Sequence, residues 1–98
     1  MNSSQRNRRK IKYIVKGKPG SFNIKYKYGK DLPLQQPDVR SGWTQTFVST
    51  QDDYFYLSAQ ANTKDARVTV KVYRGSKLLD KTTVNGDFAR ATVSGLME

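Results

Sequence analysis

The sequence predicts an all-β fold, a seven-stranded antiparallel sandwich, on three observations. Short runs rich in β-branched and aromatic residues alternate apolar with polar positions. Turn residues separate these runs at intervals of about ten, the pattern of a sandwich or barrel. No window places apolar residues at helical spacing. The 98 residues make one domain, with a core of modest depth.

Residues 1–10 are polar and basic without periodicity, and read as a disordered arm or linker ahead of a single domain over 11–98. Ile11, Tyr13 and Val15 alternate with Lys10, Lys12 and Lys16, which marks a first strand; Ile14 interrupts the pattern. Gly17-Lys18-Pro19-Gly20 reads as a turn. Phe22, Ile24, Tyr26 and Tyr28 alternate with Asn23, Lys25 and Lys27 in a second strand, whose lysines also suit an edge. Residues 29–42 carry Pro33, Pro37 and Gly42 and few apolar residues, and read as a long crossover between sheets.

The third strand runs from Trp43 to Ser49, with Trp43 and Phe47 on one face. After Gln51-Asp52-Asp53, the fourth spans Tyr54 to Ala61. It sets Phe55, Leu57, Ala59 and Ala61 against Tyr54, Tyr56, Ser58 and Gln60. Val68, Val70 and Val72 mark the fifth, Lys77 to Val84 the sixth and Phe88 to Val93 the seventh. Arg74-Gly75-Ser76 and Asn85-Gly86 read as hairpin turns, which implies antiparallel neighbours. The expected core is Ile11, Val15, Phe22, Ile24, Tyr26, Trp43, Phe47, Phe55, Leu57, Ala59, Val68, Val70, Val72, Ala91 and Val93.

The chain has neither cysteine nor histidine, which excludes disulfides, thiolate chemistry, Cys/His zinc sites and any histidine base. Asp52-Asp53 is the only adjacent acid pair and reads as a turn, since Asp side chains bond the backbone there. The glycines lack phosphate-loop spacing. No catalytic residue, metal or cofactor is expected. No apolar run approaches the ~20 residues needed to span a bilayer.

Charge is the informative property. Residues 1–30 hold ten Lys or Arg and no acid, whereas residues 31–98 hold eight of each sign, so the net +10 falls in the first third. Arg6, Arg8, Arg9, Lys10 and Lys12 form one cluster, and Lys25 and Lys27 extend it. These are the expected anion-binding residues, and the neutral second half is not expected to join them. A one-sided positive field suits nucleic acid, lipid headgroups, acidic glycans or an acidic protein, and also serves solubility. Tyr26 and Tyr28 lie between lysines, as in single-strand binders, but period two puts rings and lysines on opposite faces. Tyr54 and Tyr56 are a candidate partner patch, or cross-strand packing on a half-covered sheet.

Tyr13-Ile14-Val15-Lys16-Gly17, Trp43-Thr44-Gln45-Thr46-Phe47, Leu57-Ser58-Ala59-Gln60, Val68-Thr69-Val70-Lys71-Val72 and Phe88 to Gly95 together resemble the extracytoplasmic domain of the MmpS family of small transport-accessory membrane proteins. The resemblance covers about residues 11–95. It implies an immunoglobulin-like sandwich in the cell envelope, outside the cytoplasmic membrane. It also implies a non-catalytic role beside a transporter, with an envelope protein or an anionic membrane surface as partner. Nucleic acid or another polyanion, held by the basic N-terminal third, is the alternative. The helix that anchors such proteins is not in this sequence, so an anchor or signal segment is expected outside it. Val70 and Val93 stand where members often carry a cysteine pair, which implies adjacent strands and touching side chains.

Overall fold

A computed structural model describes the backbone of residues 8–18, 20–28, 33–50 and 54–96, and all their side chains except those of Arg8, Arg9, Tyr28, Ser49 and Thr50. Eight strands are present among these residues, not seven: β1 (Arg8–Lys18), β2 (Ser21–Tyr28), β3 (Leu34–Arg40), β4 (Trp43–Thr50), β5 (Tyr54–Ala61), β6 (Ala66–Arg74), β7 (Lys77–Gly86) and β8 (Arg90–Leu96). They form two four-stranded antiparallel sheets. Sheet A has the order β4-β1-β6-β7 and sheet B the order β3-β2-β5-β8.

The additional strand, β3, lies within the expected crossover. It is an exposed edge strand with one neighbour, so it needs no alternating apolar residues to form. Pro37 is tolerated there because an edge strand has one side free of the ladder. The register against β2 jumps between Phe22↔Val39 and Ile24↔Gln36. At that bulge Asp38 adopts a φ of 56°, and its N–H donates to Asn23 Oδ1 at 3.1 Å.

Other boundaries move too. Arg8, Arg9 and Lys10, expected in the arm, pair with Thr50, Ser49 and Val48 of β4. Gly17 and Lys18, expected in a turn, pair with Val68 and Arg67 of β6. A Cβ on Gly17 would collide with the Arg67 carbonyl oxygen, so only glycine lets β1 and β6 approach there. Asn85-Gly86 does not turn a hairpin: both residues belong to β7, and the chain crosses to sheet B through residues 87–89. Phe88 precedes the last strand with a φ of 51°, a left-handed conformation that is uncommon for a bulky residue.

The inner faces bury Ile11, Tyr13, Val15, Val68, Val70 and Val72 from sheet A against Phe22, Ile24, Tyr26, Phe55, Leu57, Ala59, Ala91 and Val93 from sheet B. Trp43 and Phe47 are half-buried against this core rather than inside it, because β4 is an edge strand. Trp43 Nε1 donates to Gln36 Oε1 at 2.9 Å, joining the edges of the two sheets. Val70 and Val93 are buried, but not on adjacent strands: Val70 pairs with Val15 and Thr82, and Val93 with Leu57. The β7–β8 crossing sends them to opposite sheets.

Tyr13, absent from the expected core, is fully buried. Its hydroxyl donates to the Lys27 carbonyl at 2.6 Å and accepts the Tyr56 N–H at 3.2 Å. Lys27 and Tyr56 face each other across β2 and β5, so a phenol from sheet A bridges a rung of sheet B. Tyr26 and Phe47 pack edge-on to its ring, at centroid distances of 6.1 and 5.0 Å. Burial pushes the phenol well above its ordinary pKa of 10.0, opposed in part by the Tyr56 N–H.

Candidate functional site

Strand alternation fixes what each sheet shows to solvent. In β1 the even positions face outward from sheet A, which exposes Lys10, Lys12, Lys16 and Lys18 around a half-buried Ile14. In β6 the valines at 68, 70 and 72 point inward, so Arg67, Thr69, Lys71 and Tyr73 point outward. The register carries this outward set onto β7, where Lys81 stands opposite Lys71 and Thr83 opposite Thr69. Thr69 and Thr83 join hydroxyls at 2.9 Å. On β4, Thr46 stands opposite Lys12 and the exposed Val48 opposite Lys10.

The outer face of sheet A is therefore a broad cationic array. Among the described residues no acid joins it. Asp65 and Asp87 sit in turns, with the Asp65 N–H donating to Asp87 Oδ1 at 2.9 Å. Asp38 lies at the β3 bulge, and Asp80 sits opposite the inward-facing Val72. Two pairs of like charges stand directly opposite each other, Lys71 with Lys81 and Lys18 with Arg67. Such pairs destabilise a sheet.

Sheet B has a different outer face. Its rows are Asn23, Gln60 and Arg90; then Gln35, Lys25, Ser58 and Thr92; then Lys27, Tyr56 and Ser94; and last Tyr54 with Leu96. Tyr54 is 64% exposed and Tyr56 half-buried. Two adjoining depressions of about 270 and 570 Å³ share Lys25 and Tyr56. Arg90 Nη2 donates to Gln60 Oε1 at 3.0 Å, which orients the guanidinium at one end.

This arrangement redistributes the expected site residues. Lys10 and Lys12 lie on sheet A, Lys25 and Lys27 on sheet B, so the single cluster of the sequence divides between two opposite faces. Arg8 and Arg9 belong to β1, and Arg6 lies outside the described residues, as do Asp52 and Asp53. The neutral second half does contribute cations, Arg67, Lys71 and Lys81 to sheet A and Arg90 to sheet B, because its acids fall at turns, a bulge and an edge strand. Alternation against the valines signals that Arg67 and Lys71 face outward; it cannot signal that β6 lies beside β1. Lys25 and Lys27 do share a face with rings, those of Tyr54 and Tyr56 on the neighbouring strand rather than those of their own.

Fold and faces define a β-sandwich with exposed basic sheets and, among the described residues, no cluster of acids able to hold a metal ion. Set against known protein families and curated proteins, the chain matches none.

Proposed function

We propose that this domain is a non-catalytic interaction module of the cell envelope that works beside a membrane transporter and holds an anionic partner through its basic sheet faces. The observation that carries the reading is the separation of charge: cations occupy the outer sheet faces, and the described acids lie off sheet A's outer face, at turns, a bulge and an edge strand. Opposed like charges on sheet A cost stability, and a partner that neutralises them accounts for their presence. The scaffold reading is immunoglobulin-like. The pairings β1–β4, β2–β3, β2–β5 and β5–β8 follow that scheme, and the β6–β7 hairpin occupies the free side of β1. The envelope role rests on the MmpS-like motifs.

Expression from the native gene, followed by cell fractionation, tests this. The domain should be cleaved by protease added outside the cytoplasmic membrane, and should crosslink to a membrane transporter. Cytosolic protection from protease would overturn the reading. One observation favours a second reading, a binder of single-stranded nucleic acid on sheet B: Lys25, Lys27, Tyr54 and Tyr56 share one outer face. Salt-dependent affinity for an oligonucleotide, lost in Lys25→Ala/Lys27→Ala, would support it; no binding at low salt would remove it.

A further inference from the structure

We infer that the outer face of sheet A is a docking surface for an anionic lipid bilayer, on which the domain lies with its strands parallel to the membrane plane. The inference rests on the interaction-module reading and names its partner. Lipid is favoured over other polyanions by the form of the face. The cations are spread in two dimensions over β1, β6 and β7 instead of lining a groove. From Lys10 to Lys18 the row runs about 26 Å at ~3.3 Å per residue, well beyond the ~8 Å screening length of physiological salt. A two-dimensional array of this extent can present many of its charges together to a surface of headgroups, which a narrow polyanion strand cannot match.

The chemistry of the side chains agrees. Among the described residues, the cations on this face are lysines apart from Arg67, compact point charges on flexible stems that suit mobile headgroups better than fixed bidentate targets. Among the described residues the face offers no pair of exposed rings for stacking bases; Tyr73 alone of these stands there, half-buried. Val48, 62% exposed beside Lys10, supplies an apolar side chain able to enter the headgroup boundary.

Co-sedimentation with phosphatidylcholine vesicles, with and without phosphatidylglycerol, tests the inference. Binding should require the anionic lipid and fade with salt. Lys71→Glu should lower partitioning about 25-fold, two charge units at about five-fold each. Lys64→Glu, in the turn after β5, makes the same charge change off the face and should leave partitioning within a few-fold of the parent. Because Lys71→Glu replaces a like-charge pair with an attractive one, its melting temperature should not fall, and loss of binding cannot be ascribed to unfolding. Three results would overturn the inference: no binding to anionic vesicles at low salt, loss with Lys25→Glu but not Lys71→Glu, or oligonucleotide binding abolished by Lys71→Glu without vesicle binding. An envelope location combined with any of these would leave the module reading standing and remove only its lipid partner.

Discussion

Tyr13 shows how one side chain couples two sheets. Its ring lies fully buried in the core, and its hydroxyl bridges a carbonyl on β2 and an N–H on β5. Tyr13→Phe keeps the ring and deletes the bridge, and should cost about 1–3 kcal/mol in a denaturant titration. The same residue predicts a pH dependence. The phenol ionises readily in the unfolded chain but not when buried, so its folded pKa lies above the unfolded one. Its contribution is intact below about pH 10 and is lost as pH rises beyond it. Stability measured across that alkaline range should fall less steeply in Tyr13→Phe than in the parent.

At the scale of the element, close approach and pairing decide the outcome. Gly17 lets β1 run on beside β6, and Gly17→Ala should destabilise the fold by about 1–3 kcal/mol through overpacking against backbone that cannot yield. The β6–β7 pair carries Lys71 opposite Lys81. Lys71→Glu should therefore stabilise the isolated domain by about 0.2–1 kcal/mol in the same titration. A variant that folds better and binds lipid worse would separate the two uses of this ladder. The strand most exposed to solvent, β3, is also the one least legible in sequence. A strand with one neighbour and little burial needs neither alternation nor β-branched residues, so Leu34 to Arg40 reads as a loop until the ladder with β2 is seen. The central strands β5 and β6 were legible because both bury one face completely and so must alternate.

For the whole molecule, net charge matters less than its placement. A chain of net charge +10 with cations gathered on its sheet faces repels itself when folded, more than one in which each cation had an acidic neighbour. Moderate added salt should therefore raise the melting temperature by screening sheet A, and should weaken anionic partners over the same range. A melting temperature flat or falling with salt would contradict this account of the faces. The candidate site was legible in part: alternation identified which lysines face solvent, but the grouping of Lys12 with Lys71 and of Lys27 with Tyr56 depends on strand order.

Sequence by itself determined the all-β class, the positions of most strands, the inward and outward sides of each and most of the core. These follow from period two and turn chemistry, which act over a few residues. Tertiary structure alone decided which strands are neighbours. It sent β1 and β2 to different sheets, placed Val70 and Val93 across the core from each other, and drew Arg67, Lys71 and Lys81 beside Lys10 to Lys18. The physical reason is that a crossing and a hairpin can begin with similar short turns, and only the burial of two complete apolar faces against each other selects between them.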